Sequence, residues 1–257
     1  MRFPLKLNLD LTNYIMRNKF HGVDRFPLVL MLEPTHLCNL SCSGCGRIRE
    51  YAATLAQEMS LEDCLHSVDE CPAPVVTITG GEPLLYTHVH ALIDGVLARK
   101  KHIYFCTNGI LLKDALGWMR PHPNFTLNVH MDGMEATHNR ILEHPDAFAI
   151  AIDGIRAAKK AGFRIWTNTT IFKETDLKEI DELFTLLNDI GVDGFLVAPG
   201  FNPDMADHAK ALGVPFMPGV NTPTHIERAI AKGLAMAKYL PAEAPGGLAY
   251  LVTIFVP

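Results

Sequence analysis

Short apolar runs recur along the chain at Leu28–Leu32, Val75–Thr79, His102–Cys106, Phe125–Met131, Arg164–Thr169, Gly194–Ala198, Pro215–Met217 and Ala235–Leu240. Between them lie polar stretches with helical spacing: Leu61–Glu70, His88–Lys100, Phe148–Ala161 and Leu177–Ile190. Strands buried on both faces read as continuous apolar runs, so the alternation predicts a parallel sheet covered by helices. Glycine just past two of the helical stretches, at Gly162 and Gly191, supports the phase. The fold class is α/β, a (β/α) barrel of TIM type. It is either partial, with six strands, or completed to eight by the last two runs. Residues 1–25 read as a preface, 26–200 as the core and 201–257 as further strand–helix units of the same barrel.

Composition narrows the function. Hydrophobic residues make up 48% of the 257 residues and charged residues 20%, enough apolar material for a core and too much for a disordered chain. The net charge of −5 argues against a partner held by bulk positive charge, so no nucleic acid is expected. No run is long enough to span a bilayer, and Lys6, Asp10 and Arg17 interrupt any secretory signal, so a cytoplasmic location is expected. The basic and apolar residues of the preface leave two readings: a helix packed on the barrel, or a segment resting peripherally on the inner membrane.

The chemistry concentrates in Cys38-Asn-Leu-Ser-Cys42-Ser-Gly-Cys45. With six cysteines in the whole chain, this spacing arises by accident about 0.003 times per sequence. Three thiolates on one loop can hold three irons of a [4Fe–4S] cube and leave the fourth iron open. A structural zinc site with His36 as fourth ligand is the alternative, but zinc usually draws paired ligands from two segments and no second pair is visible. The loop follows the first strand, at the end of a barrel where active sites lie. Thr79-Gly80-Gly81-Glu82-Pro83 follows the second strand; its glycines let backbone approach a ligand, and Glu82 can accept from an ammonium group. Asn108, His130, Asp132, Asn168 and Thr170 stand at later strand ends, where polar side chains either meet a nucleoside or cap a turn.

The cysteine run and the Gly-Gly-Glu-Pro segment together resemble the radical S-adenosylmethionine (SAM) superfamily. That resemblance implies Cys38, Cys42 and Cys45 as ligands of a [4Fe–4S] cluster whose open iron chelates SAM. It implies Gly80, Gly81, Glu82 and Pro83 at the SAM amino group, with Asn108, His130, Asp132 and Asn168 as further SAM contacts. A reduced flavodoxin or ferredoxin would supply the electron. Over residues 25–200 the segments FPLVLMLEPTHLCNLSCSGCG, DECPAPVVTITGGEPLL, ARKKHIYFCTNGILL, HMDG and GVDGFLVAPG resemble the hopanoid-biosynthesis enzymes that form adenosylhopane. This implies a transferase that adds a 5′-deoxyadenosyl radical to the alkene of a lipid, diploptene, with Cys106 as hydrogen-atom donor. The ordinary reading of Cys106 is a small buried hydrophobe, and Cys64 and Cys71 are read as packing residues.

From Phe201 to Leu251 the resemblance changes. FNPDMADHAKALGVPFMPGVNTPTHIERAI and AKYLPAEAPGGLAYL resemble the Schiff-base aldolases of 2-keto-3-deoxy-6-phosphogluconate (KDPG). There, Lys238 is implied as the imine-forming lysine; alternatively it is a strand-end lysine reaching water. Those aldolases also use a Glu and an Arg on early strands and a final phosphate-binding strand, whereas here the early strands carry SAM motifs and the sequence stops at LVTIFVP. A hybrid chain with no aldolase turnover, or with no catalysis at all, is the competing expectation.

Overall fold

The computed structural model describes residues 4–23, 25–42, 45, 55–171, 175–199, 236–239 and 248–254. Helix α1 (Leu5–Phe20) precedes strand β1 (Val29–Thr35). There follow α2 (Leu61–Glu70), β2 (Val75–Gly80), a 3-10 turn at Pro83–Leu85, α3 (Val89–Ala98) and β3 (His102–Thr107). Next come α4 (Leu112–Ala115), β4 (Phe125–His130), α5 (Glu135–Leu142), α6 (Ala147–Lys160), β5 (Arg164–Ile171), α7 (Leu177–Ile190) and β6 (Gly194–Pro199). Strands β7 (Met236–Tyr239) and β8 (Leu248–Ile254) complete the order.

Local chemistry explains the helix limits. Ser60 caps α2 by accepting from the Asp63 N–H, and Glu62 and Asp63 favour the positive end of its dipole. Asp176 caps α7 by accepting from the Lys178 N–H, and Gly191 ends it at φ +89°, a conformation costly for a residue with Cβ. Strands β1 to β6 pair in sequence order, all parallel. One face of the sheet gives Leu30, Leu32, Val76, Ile78, Ile103, Phe105, Leu127, Val129 and Ile165 to a core shared with the helices. Because side chains alternate, Tyr104, Cys106, Asn128, His130 and Trp166 occupy the opposite face.

Six parallel strands with covering helices match the partial-barrel expectation. Completion to an eight-stranded barrel does not appear among the described residues. Strand β8 pairs antiparallel with β1, and β7 pairs antiparallel with β8, so the order is β6-β5-β4-β3-β2-β1-β8-β7. The added strands thus extend the β1 edge, and β6 and β7 are the two outer strands. A barrel would require β7 to follow β6 in parallel through a covering helix. The run Pro215–Met217 lies outside the described residues, and β8 is a strand that the apolar runs did not single out. Cys64 and Cys71 are both buried, as packing residues should be.

The preface is indeed a packed helix. Leu7 is buried, Tyr14 stacks edge-on against Phe26 with centroids 5.4 Å apart, and Asp10 Oδ2 lies 2.7 Å from His102 Nε2. His102 opens β3 and Phe26 precedes β1, so α1 lies across the N-terminal ends of the strands.

Candidate active site at the strand ends

The opposite, C-terminal ends of β1 to β5 gather the residues singled out from the sequence. Strand β1 runs out at Thr35 into the cysteine loop, whose first turn is held by neighbouring backbone. The Gly81 N–H donates to Thr35 O at 3.0 Å, and the Glu82 N–H donates to Leu37 O at 2.7 Å. This contact explains the glycine pair. A Cβ on Gly81 would lie 2.0 Å from Leu37 O, and one on Gly80, whose φ is +123°, would lie 2.4 Å from Thr35 O. The backbone that the glycines admit is therefore the cysteine loop itself, where the sequence pointed to a ligand.

Glu82 is fully buried. Its Oε1 accepts from the Leu84 N–H at 3.1 Å, and its Oε2 accepts from Thr107 Oγ1 at 3.0 Å and from the Asn108 N–H at 2.8 Å. Burial pushes its carboxyl up to about 7, against the three hydrogen bonds that favour the charge. The carboxylate thus ties the end of β2 to the end of β3. Oε1, which has a single donor, keeps lone-pair capacity for a further one such as an ammonium group.

Asn108 extends the same brace. Its Nδ2 donates to Asn39 Oδ1 at 2.8 Å and stands 3.8 Å from Cys38 Sγ, while its Oδ1 accepts from the Ile110 N–H. The loop is held from the other side by apolar contact: Cys38, Cys42 and Ile110 pack against Leu40, Ile141, Leu142 and Ala147. Burial, then the nearby Cys38 and Cys45 thiolates, pushes the Cys42 thiol up to about 12. A buried Cys42 thiol whose ionisation is opposed in this way belongs to a donor set that a cation completes, and iron would invert that penalty. Among the described residues no three His, Cys, Asp or Glu side chains converge as for a single mononuclear ion. A cube whose irons each take a separate thiolate does not require that convergence.

His130 and Asp132 form a charged pair beside this loop. His130 Nε2 lies 2.5 Å from Asp132 Oδ2, a close ion contact rather than a well-directed hydrogen bond, and Asp132 Oδ1 accepts from the Thr170 N–H at 2.7 Å. Burial opposes the His130 charge, but the Asp132 carboxylate prevails and holds the imidazole above its ordinary value. The Asp132 N–H in turn donates to His138 Nδ1 at 3.2 Å. Burial first, then the His130 charge, drives His138 down to about 4, so its ring is neutral with the proton on Nε2. Asn168 is the register partner of His130, and its carbonyl accepts from the Met131 N–H.

Two residues below these strand ends, on the same face, lies a second row, in which Cys106 pairs with Asn128, Asn128 with Trp166 and Trp166 with Gly194. Asn128 Nδ2 is 3.5 Å from Cys106 Sγ, and burial pushes that thiol up to about 11. Asn128 Oδ1 has no partner among the described residues. Cys106 is therefore a half-buried thiol on the face away from the helices, not a member of the apolar core.

Lys238 is not brought to these strand ends. On β7 it pairs with Val252 of β8, which pairs with Val29 at the beginning of β1. Six residues of β1 separate that level from Thr35, a distance of about 20 Å along the strand. The sequence pointed to the three cysteines, Glu82, Asn108, His130, Asp132 and Asn168, but not to Asn39, Thr107, Asn128 or His138 as their partners. The alternation Thr126, Asn128, His130 within an otherwise apolar run was a readable signal for Asn128. For His138, on a helix of mixed pattern, no such signal exists.

The Radical SAM superfamily model matches residues 32–187, more than half of the chain, and the KDPG and KHG aldolase model matches residues 167–257. The AdoMet-dependent heme synthase of Methanosarcina barkeri is 30% identical over 192 residues, covering 72% of this chain and 54% of that protein. The 2-dehydro-3-deoxy-phosphogluconate aldolase of Treponema pallidum is 43% identical over 63 residues, covering 24% of this chain and 30% of that one. The chain thus spans about half, or less, of these relatives. Among solved structures, TYW1 with a lysine-pyruvate adduct bound aligns with a TM-score of 0.52 and 16% identity, covering 92% of this chain and 83% of that one.

Proposed function

The chain belongs to the radical SAM superfamily, and on that premise we propose that Cys38, Cys42 and Cys45 hold its [4Fe–4S] cluster while the ends of β2 to β5 bind SAM. When bound, the cluster and SAM together supply a 5′-deoxyadenosyl radical. The observation that carries the assignment is the Gly81–Leu37 and Glu82–Leu37 backbone contact, which seats the three-cysteine loop against the Gly-Gly-Glu segment. Glu82 accepts the SAM ammonium in addition to its three protein donors. Asn108 positions Cys38, and the His130–Asp132 pair offers a cationic imidazole to the SAM carboxylate or ribose, with Asn168 beside it.

Substrate then occupies the row beneath, over Cys106 and Asn128. The resemblance to the adenosylhopane-forming enzymes supports diploptene as the acceptor. In that reaction SAM would supply the adenosyl group to the alkene, and Cys106 would give its S–H hydrogen atom to the resulting carbon radical. The thiyl would then take one electron from the electron donor and one proton from solvent to restore the thiol. Anaerobic incubation with SAM, reductant and diploptene is the test. Adenosylhopane formed by wild type and lost in Cys106→Ala supports this substrate. SAM cleavage without that product retains the superfamily chemistry and discards diploptene.

A second reading rests on the aldolase-like segment. The matched aldolase model and the TYW1 structure with its lysine-pyruvate adduct support a Lys238 imine with a keto acid. Against turnover stand the SAM motifs on the early strands and the register of Lys238 with Val29. Wild type and Lys238→Ala are expected to release pyruvate from KDPG at the same background rate. Loss of general acid–base assistance alone costs about 10²–10⁴-fold. A robust lysine-dependent rate, or a borohydride-trapped pyruvate on Lys238, would put this reading first.

Glu82 also makes a prediction for the apo-protein. Its folded carboxyl, held at about 7, lies above its ordinary value of 4.5, so the folded state binds the extra proton between those values. Stability is then fully present below pH 4.5 and declines as pH rises through 7, by about 3 kcal/mol in all. Denaturant titrations from pH 5 to 8 should show this decline, and Glu82→Gln should flatten it. An identical slope in the variant would remove Glu82 as its origin.

A further inference from the structure

Helix α1 buries one face on the strand starts and leaves a second apolar stripe in solvent. Leu5, Leu9, Met16 and Phe20 are 73%, 53%, 63% and 88% exposed. At 100° per residue these four side chains fall within about 60° of arc, along a line of about 22 Å. Large apolar side chains scattered singly need no explanation, but four aligned on one helix face, with only Thr12 and Asn13 on that face between Leu9 and Met16, do. Val23, 41% exposed, prolongs it past the helix end.

The stripe is bordered by positive charge on both sides. Lys19 lies about 70° from its centre in one direction, and Lys6 and Arg17 about 70–90° in the other. Asp10, the helix's acidic residue, is turned toward the body of the protein, where it meets His102 and draws in Lys6. With Lys6 paired to Asp10, Arg17 on one flank and Lys19 on the other make this face positive in a chain whose net charge is −5. Leu7, the Tyr14–Phe26 contact and the Asp10–His102 pair hold the helix in place, so the stripe is already presented.

We propose that this face of α1 docks on an anionic lipid bilayer. An apolar strip flanked on both sides by lysine and arginine matches the boundary between acyl chains and charged headgroups. A protein groove would require basic flanks on neither side in particular. Docking occurs at the strand starts, about 20 Å from the cysteine loop, so the active site opens away from the membrane plane. This inference stands independently of the substrate assigned above.

The test is sedimentation of the full-length holoprotein with vesicles of phosphatidylcholine alone and with about a third phosphatidylglycerol. Binding to the mixed vesicles that weakens with added salt, and at least tenfold weaker binding to phosphatidylcholine alone, is expected. Leu9→Glu with Phe20→Glu should abolish binding while far-UV circular dichroism and SAM cleavage stay unchanged. Arg17→Gln with Lys19→Gln should weaken it by more than tenfold, since each basic side chain at a lipid surface contributes about fivefold. Failure to bind the mixed vesicles, equal binding to both compositions, or indifference to both variants would overturn the proposal. So would a dimer in sedimentation equilibrium that Phe20→Glu dissolves, because the stripe would then belong to a second copy.

Discussion

Cys38→Ala, Cys42→Ala and Cys45→Ala are each expected to lose the visible absorbance of the reconstituted protein and to reduce SAM cleavage to background. Wild type, reconstituted anaerobically with iron and sulfide, should hold about four irons and four sulfides per chain. In the proposed assignment each cysteine supplies the thiolate of a different iron, so none of the three would substitute for another. The residues around them act more weakly. Asn108→Ala removes a brace from Cys38 and Asn39 without removing a ligand, and outer-shell losses of this kind typically cost about 10–100-fold in metal affinity or activity. Iron analysis and electron paramagnetic resonance of the reduced proteins separate the two classes. A triple alanine variant that keeps the cluster signal would refute the ligand assignment.

Gly81→Ala is expected to be the most damaging substitution outside the cysteines. Its Cβ would stand 2.0 Å from Leu37 O and 2.6 Å from His36 O, both backbone atoms of the cysteine loop. No side-chain rotation relieves such an overlap, so the loop must move or the end of β2 must separate from it. Breaking the Glu82 N–H contact to Leu37 O and straining the buried Glu82 brace should cost about 3 kcal/mol or more. For a chain of this size the melting temperature should fall by about 8 °C or more, with iron content after reconstitution falling in parallel. Gly117→Ala offers a milder control, since its Cβ would stand 3.3 Å from Asp114 O, a close contact that a small shift relieves. A Gly81→Ala protein as stable as that control would show that the loop is not locked to β2.

Much of the parallel sheet was legible before the structure because burial on both faces erases polar alternation. Val75–Thr79, His102–Cys106 and Gly194–Ala198 are runs of that kind, and each became a strand extended by one residue. Helices Leu61–Glu70 and Leu177–Ile190 were bounded by Ser60, Asp176 and Gly191, residues whose effect on backbone hydrogen bonds is local. The cysteine loop was legible for a similar reason: a spacing of thiols within eight residues is a fact about the chain alone.

What joins those parts is not local. Whether the last strands continue past β6 or return to β1 depends on which free edge offers unpaired backbone groups, and β8 takes the edge of β1. Lys238 illustrates the consequence, because its family motif is intact in the sequence while its register, level with Val29, is decided by two antiparallel pairings. Glu82 illustrates the reverse. Its motif marked it as a ligand of something outside the chain, and the fold additionally closes it over Thr107 and Asn108, twenty-five residues and more away. The sequence by itself determined the donor atoms, the parallel strands and the helix limits, since each follows from residue type and short-range spacing. The tertiary structure alone decided which backbone the glycines admit, which donors satisfy the buried carboxylate and which face of α1 remains in solvent, since those depend on contacts between segments far apart in the chain.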